Sequence, residues 1–266
     1  MDIVQAIIIA IVEGLTEFLP VSSTAHMKFA NPLIGITTSP FSNMFEIVIQ
    51  LAAILSVVFA YSRKFFDFRH YTFYLKLIVA VIPALIAGAL LKKYIDQALD
   101  NLTFIACVML AGGIILLFID RLFTSNRITE EKNIGYGKAF AIGCFQVLSV
   151  VFPGLSRSAA TIIGGMSQQL TRRLAAEFSF FLAVPTMLAA SAKSFYDVYK
   201  EHPEALMKNN MSLLGIGGII SFVVALFTIR FFINFVQKHG FRLFGYYRIA
   251  LGLLILILIF SGVIGR

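Results

Sequence analysis

Charged residues are scarce in this sequence: they account for 14% of its 266 residues, while hydrophobic residues account for 59%. The mean hydropathy is +0.87. So little charge excludes an ordinary soluble domain and predicts an all-α, polytopic membrane protein. The first residues, Met1-Asp2-Ile3, include no basic stretch, so we expect no cleaved signal peptide.

Cysteine is also rare, and tryptophan is absent. Cys107 and Cys144 both lie in apolar stretches, far from any paired spacing, so we expect two buried thiols and neither a disulfide nor a metal site. Basic residues outnumber acidic ones, 22 to 14, which gives a net charge of +8. On a membrane protein this excess is expected to set the topology, and we expect no nucleic acid partner.

Six apolar stretches have close to the roughly 20 residues that a bilayer-spanning helix needs. These stretches are residues 45–61, 75–91, 102–119, 175–194, 213–233 and 244–264. Two further apolar segments, broken at Pro20 and at Pro153, are too short to cross the membrane twice. We therefore predict six transmembrane helices and two re-entrant helix hairpins.

The first hairpin concentrates polar residues in the run E-G-L-T-E-F-L-P-V-S-S-T-A-H, from Glu13 to His26. Glu13 and Glu17 are four apart and share one helix face, which favours a cation, a shared proton or a polar ligand between them. Pro20 is expected to end this helix, and Ser22-Ser23-Thr24 supplies N-cap residues for the next one. If Ser23 is the cap, Ser23 and His26 share one side of its first turn, where the helix N-terminus favours an anion such as phosphate.

The second hairpin contains the run P-G-L-S-R-S-A-A-T, from Pro153 to Thr161. Arg157 at membrane depth needs a partner, and its planar fork of donors suits a phosphate or a carboxylate. The alternative is a structural ion pair between Arg157 and Glu13 or Glu17. Likewise, the two glutamates alternatively form a buried polar network that fixes helix packing, and the hydroxyls of the run alternatively cap helices.

The two hairpins are related by an internal repeat. A shift of 133 positions pairs Glu13 with Gln146, Pro20 with Pro153 and Ser23 with Ser156. Broken helices at matching positions in two halves point to a site at the bilayer midplane, between inverted-topology repeats. We predict a single integral membrane domain, residues 1–266, with one repeat at about 1–120 and the other at about 134–266.

The distribution of basic residues predicts the orientation. If both hairpins are re-entrant, fourteen Lys and Arg residues, Arg248 among them, fall on one side, seven fall on the other, and Arg157 lies in the membrane. The richer side is cytoplasmic by the positive-inside rule. Both termini and the entry to the first hairpin would then be external, while the second hairpin would enter from the cytoplasm.

The two polar runs resemble the signature regions of the undecaprenyl-diphosphate phosphatase family, the bacitracin-resistance type, and length and span pattern extend the resemblance over essentially the whole chain. The resemblance implies a bacterial inner-membrane enzyme that removes the terminal phosphate of undecaprenyl diphosphate. This reaction regenerates the lipid carrier for peptidoglycan synthesis and confers bacitracin resistance. The resemblance also implies a divalent-cation requirement and an active site that faces the outside.

The family's motifs, together with the chemistry of the side chains, define the expected site. The expected catalytic residues are Glu17, Ser23, His26 and Arg157. Substrate binding is expected from Ser22, Thr24, Gly154, Ser156, Arg157, Ser158 and Thr161. Glu13 and Glu17 are expected to hold Mg²⁺ or Ca²⁺ through oxygen. The nucleophile is either Ser23 or a water, with His26 as a proton carrier.

Other classes of protein share part of this pattern. A lipid flippase or secondary transporter would show the same inverted repeats, but transport needs no nucleophile such as Ser23 beside His26. A type-2 lipid phosphatase would carry a histidine five residues after its Ser-Arg pair, and no histidine follows Ser156-Arg157 here. The expected partners are a long-chain isoprenyl diphosphate and the membrane, with a homodimer as an open alternative to a monomer.

Overall fold

The computed structural model describes residues 1–67, 69, 71–201 and 208–263. In this part of the chain twelve α-helices form the fold and no strand occurs, which confirms the all-α prediction. The helices are α1 Ile3–Thr16, α2 Ser23–Leu33, α3 Pro40–Ala60, α4 Ser62–Phe65, α5 Tyr71–Leu90, α6 Lys92–Leu99, α7 Leu102–Leu122, α8 Tyr136–Val151, α9 Arg157–Ser167, α10 Arg172–Glu201, α11 Lys208–His239 and α12 Arg242–Phe260.

Six helices are long and apolar enough to cross a membrane, as predicted: α3, α5, α7, α10, α11 and α12. Several begin before the predicted apolar stretch. In α3 the reason is a local cap, because the Ser39 hydroxyl accepts from the Ser42 N–H and Pro40 occupies the first helical position, where its missing N–H is not needed. The predicted end of the last span, Ile264, lies outside the described residues.

Two shorter helix pairs, α1–α2 and α8–α9, form the hairpins. Both ends of each hairpin are tied together by a side chain from its first turn. Gln5 Nε2 donates to the Ile34 carbonyl at 2.9 Å, and Lys138 Nζ donates to the Gln168 carbonyl at 2.9 Å. Each hairpin therefore returns to the level at which it began.

The hairpins open toward opposite ends of α3. Near the start of α3, Glu46 accepts a hydrogen bond of 2.6 Å from Asn31 of the first hairpin. Just beyond the other end, Lys64 Nζ lies 3.5 Å from a carboxylate oxygen of Glu131. The segment that contains Glu131 is tied to the end of the second hairpin, because the Ile128 N–H donates to the Gln169 carbonyl. The tips of the two hairpins consequently face each other midway along the span.

The first helix of each half packs against a helix of the other half. Helix α1 packs on α11 of the second half, and α8 packs on α5 of the first half, while α3 pairs with α10 and α7 with α12. A phenylalanine-rich core lies behind the hairpin tips. Phe18 lies in the turn between α1 and α2 and is fully buried. Its ring meets the Phe180 ring edge-on, with the ring centroids 5.0 Å apart, which anchors the turn.

The prediction that the two cysteines are buried was wrong. Cys107 on α7 and Cys144 on α8 are both free and exposed. The outer face of a membrane helix tolerates a small apolar thiol because it meets lipid.

Candidate active site

In each hairpin, one serine with a positive φ angle caps the second helix. Ser22 caps α2 with φ 71°, and Ser156 caps α9 with φ 76°. Each hydroxyl accepts a hydrogen bond of 3.3 Å from the backbone N–H three residues later. Of the three candidate caps in the sequence, Ser22, Ser23 and Thr24, the structure uses Ser22. α1 ends at Thr16, before Pro20, which was predicted to end it.

The correct cap changes the register of the repeat. The starts of α1 and α8 are 133 residues apart, but α2 and α9, both eleven residues long, start 134 residues apart. The second hairpin therefore has one more residue before its second helix, because α8 is two residues longer than α1 and the turn after it is one residue shorter. Ser23 corresponds to Arg157, and the sequence pairing of Ser23 with Ser156 was wrong.

These two equivalent residues meet at Glu17. The Ser23 hydroxyl donates to Glu17 Oε2 at 2.6 Å, and Arg157 Nη2 donates to Glu17 Oε1 at 2.8 Å. The pair is largely shielded from solvent, with 12% of the Arg157 side chain and 5% of the Glu17 side chain exposed. The ion pair with Glu17 that the sequence left as an alternative is thus present, in direct contact with the Ser23 hydroxyl.

One buried nitrogen of the Arg157 guanidinium has no hydrogen-bond partner among the described residues. This nitrogen is Nε, whereas Nη1 donates to the Ser179 carbonyl at 3.2 Å. A buried donor without a partner is costly unless a ligand or water completes it. The guanidinium can therefore still bind an anion while it holds Glu17.

A cavity of about 280 Å³ opens where the tips meet. Its polar wall includes most of the predicted site residues: Glu17, Ser22, Ser23, Thr24, Gly154, Ser156 and Arg157. Gln50 of α3 also lies in this wall. The apolar wall comes from Ile95, Leu99, Val150 and Met187. One half of the cavity thus suits a charged head group and the other an aliphatic chain.

Ser158 and Thr161, which were predicted to bind substrate, do not line this cavity. The Ser158 hydroxyl donates to the Leu19 carbonyl at 2.8 Å and so ties the two hairpins together. Thr161 hydrogen-bonds the Ser179 hydroxyl at 2.6 Å and donates to the Arg157 carbonyl at 2.9 Å. Both residues hold the wall in place from behind.

Glu13 lies one helical turn before Glu17 and is fully buried. Neither of its carboxylate oxygens has a hydrogen-bond partner in the described part of the chain. Its repeat partner Gln146 is also buried, but its amide donates to Thr186 at 3.2 Å. An orphaned carboxylate beside Glu17 fits a cation or a proton.

The residues fit one type of metal site and exclude another. Within the described ranges, no group of three or more His, Cys, Asp and Glu side chains could enclose a metal ion. Mg²⁺ is commonly held by one or two carboxylates, with waters and substrate phosphate as its other ligands. Glu13 and Glu17 supply the two carboxylates of such an arrangement, with Glu17 in the cavity wall and Glu13 fully buried one turn behind it, outside the cavity lining.

His26 lies away from the cavity, although the sequence placed it beside Ser23. Its Nδ1 is 2.7 Å from the Ser22 carbonyl oxygen, and its Nε2 is 2.7 Å from the Tyr247 hydroxyl on α12. A carbonyl oxygen only accepts, so in the neutral ring Nδ1 carries the proton and Nε2 accepts from Tyr247. The side chain that touches the Ser23 hydroxyl is instead Glu17.

Sequence reasoning missed Arg248. It was counted among the cytoplasmic residues, but it lies in α12 and is fully buried. The available signal was its position, four residues inside a predicted span, where a loop cation does not occur. Its removal leaves thirteen basic residues on the richer side against seven, so the sign of the asymmetry is unchanged.

The sequence pattern of the family described as bacitracin resistance protein BacA matches residues 6–254 of this chain. The chain belongs to the BacA family. An undecaprenyl-diphosphatase of Flavobacterium psychrophilum is 52% identical over 260 residues, which cover 98% of this chain and 97% of the relative. One from Porphyromonas gingivalis is 46% identical over 279 residues, with 99% of each chain covered. Membership of the BacA family confirms the resemblance drawn from the two hairpin motifs.

Proposed function

We propose that the protein is an undecaprenyl-diphosphatase. It hydrolyses undecaprenyl diphosphate to undecaprenyl phosphate and inorganic phosphate, which recycles the lipid carrier for peptidoglycan synthesis and gives resistance to bacitracin. The observation that carries this proposal is the contact of a serine hydroxyl with a carboxylate that is itself paired with an arginine, inside a cavity between membrane-embedded helix tips. The names of the relatives agree with it.

Ser23 is the proposed nucleophile and Glu17 its general base. Phosphoryl transfer depends mainly on positioning and charge neutralisation. The Ser23 oxygen forms a bond to the terminal phosphorus, and its proton passes to Glu17. The bond from that phosphorus to the bridging oxygen breaks, and undecaprenyl phosphate leaves. A water then cleaves the phosphoserine and releases inorganic phosphate.

Arg157 and the starts of α2 and α9 form the proposed cradle for the diphosphate. Helix N-termini present free N–H groups and a partial positive charge, and an arginine adds charge-assisted hydrogen bonds. Ser22, Thr24, Gly154 and Ser156 line this cradle and supply hydroxyl and backbone groups. Ser158 and Thr161 keep it in shape through the contacts described above.

Glu13 and Glu17 would hold the divalent cation, Mg²⁺ or Ca²⁺. Bound there, the cation would neutralise charge on the diphosphate and on the leaving phosphate. The unpartnered oxygens of Glu13 support this assignment. His26 is proposed to act on the reaction indirectly, because its ring fixes the carbonyl of Ser22, the residue just before the nucleophile.

The protein is proposed to reside in the bacterial cytoplasmic membrane with its active site open to the outside. The excess of basic residues on one side supports this orientation, with both termini external. Each proposed catalytic residue comes from the same chain, so the site needs no second copy. Whether two chains associate as a homodimer stays a prediction.

The decisive experiment is release of phosphate from undecaprenyl diphosphate by purified protein. Wild type should release phosphate, and S23A should not. S167A is a matched control, because Ser167 lies at the far end of α9, where its hydroxyl donates to the Gly164 carbonyl and accepts from the Gln168 amide. A wild-type protein that moves the lipid between leaflets without releasing phosphate would instead favour the flippase alternative.

A further inference from the structure

Arg248 connects both hairpin tips from behind. Its guanidinium donates to the Pro20 carbonyl of the first turn at 3.1 Å. In the second turn it donates to the Leu155 carbonyl at 2.7 Å and to the Gly154 carbonyl at 2.9 Å. Its Nε–H donates to the Met109 carbonyl of α7 at 3.1 Å. One side chain of α12 therefore holds α7 and both turns.

The turns need such a partner. Carbonyls outside a helix have no internal partner, and water is scarce at membrane depth, so each must be satisfied by another group of the protein. A guanidinium offers five donors in a rigid fork, more than any other side chain. Three of the four hydrogen bonds of Arg248 go to such turn carbonyls and the fourth goes to a carbonyl of α7, and its side chain is fully buried. Its role is thus distinct from that of Arg157, which faces the cavity.

The proposed reacting groups lie close in sequence to these two turns. Pro20 is three residues from Glu17 and three from Ser23, and Leu155 is two residues from Arg157. A change in the distance between the turns would change the contact of Glu17 with Arg157 directly. A displacement of about 1 Å at a reacting group can lower a rate by roughly 10²-fold.

We propose that Arg248 is a positioning residue for the reaction: it fixes the two hairpin turns against each other and so sets the geometry of Glu17, Ser23 and Arg157. This inference rests on the proposed phosphatase function. It assigns to α12 a role in catalysis that its apolar sequence does not suggest.

Gly112 of α7 offers an independent way to test this role. A Cβ added to Gly112 would overlap Nη2 of Arg248. The guanidinium is the flexible end of its side chain, so G112A should push it off the carbonyls while Arg248 stays in the protein. Gly252 lies in the same α7–α12 contact, but a Cβ there would come no closer than 3.3 Å to any atom of α7. G252A is therefore the matched control for G112A.

The experiment measures kcat and KM for undecaprenyl diphosphate with R248K, R248M and G112A, each purified as a monodisperse peak. R242M is the control for charge removal, since Arg242 is exposed on the same helix. We expect R248K and G112A to lower kcat/KM by about 10²-fold, R248M to lower it further, and both controls to stay within twofold of wild type.

A double-mutant cycle separates positioning from a general effect on folding. If Arg248 positions Arg157, then R157K and R248K disturb the same contact, and the double variant should lose far less activity than the product of the two single losses. Multiplicative losses would overturn the inference. So would folded R248K or G112A with wild-type kcat/KM, or failure of all three variants to fold while the controls fold. Inactive wild type and controls would instead reject the proposed function, and this inference with it.

Discussion

Ser23 and Arg157 occupy the same position in two repeated hairpins, the first residue of the second helix, and both bind Glu17. The repeat has thus placed the candidate nucleophile, Ser23, and a positively charged side chain, Arg157, at equivalent points, each on a different oxygen of the Glu17 carboxylate. Two helix N-termini converge at the same place, which favours an anionic ligand between them. The symmetry of the backbone is therefore combined with an asymmetry of side chains that suits phosphoryl transfer.

Replacement of Ser23 by alanine tests the nucleophile. We expect S23A to lower kcat by about 10²-fold or more, because the attacking oxygen and its contact with Glu17 are lost. Rapidly quenched single-turnover experiments on the wild type should show transient phosphoserine at position 23, and E17Q, which lacks the proposed base, should form none. Near wild-type turnover in S23A would make Ser23 a structural residue of the helix start and water the nucleophile.

Replacement of Arg157 by lysine tests the anion cradle. Lysine keeps the charge but loses the planar fork of donors. The fork binds Glu17 and the Ser179 carbonyl, and its Nε–H has no partner in the described part of the chain and can bind substrate. Loss of one charge-assisted hydrogen bond amounts to roughly 1.5–3 kcal/mol, or about a 10- to 100-fold weaker substrate affinity. R173K is the control, because Arg173 is 60% exposed and pairs only with Glu177 on its own helix. Equal KM for wild type and R157K would contradict the role in binding.

Chelation and Glu13 variants test the cation. We expect EDTA to abolish activity and added Mg²⁺ or Ca²⁺ to restore it. E13Q keeps the shape of the side chain but removes its charge, so it should weaken cation binding measured by calorimetry on the folded protein. E177Q controls for loss of an acid elsewhere in the membrane domain. Full activity of wild type in EDTA would remove the metal from the scheme.

Gly154 is expected to tolerate no side chain. Its φ is +98°, and a Cβ there would lie 2.5 Å from the backbone carbonyl oxygen of Ile105. We expect G154A to be destabilised by about 1–3 kcal/mol and to lose activity, since the turn that presents Arg157 must shift. G137A is the control, because Gly137 lies in α8 with open space around it. Comparable melting temperatures and activities for the two variants would argue against a fixed turn.

The topology prediction is tested with reporters. A reporter fused after Arg266, which lies outside the described residues, should be external, and one inserted near Asn126 should be cytoplasmic. The physical reason is the retention of basic loops on the cytoplasmic side. The opposite pattern would place the cavity on the cytoplasmic face and reject the external active site.

The long spans and the hairpins were predictable because their signals are local. A run of apolar residues long enough for the bilayer predicts a helix whatever surrounds it. Prolines followed by serines likewise marked the breaks, although α1 ended before Pro20 and only the structure selected Ser22 among the three candidate caps. The choice of cap depends on the conformation of the turn, which a sequence encodes weakly.

Local patterns in the sequence were sufficient to predict a helical membrane protein with six spans, two broken segments and a set of polar residues in those segments. Which of these polar residues meet depends on the tertiary structure. It joined Glu17 to Ser23 and Arg157, turned His26 toward Tyr247, and buried Arg248 behind the turns. The reason is that these contacts join residues up to 228 positions apart, Pro20 with Arg248. Such contacts follow from how the helices of the two halves pack, and local sequence signals carry no record of that packing.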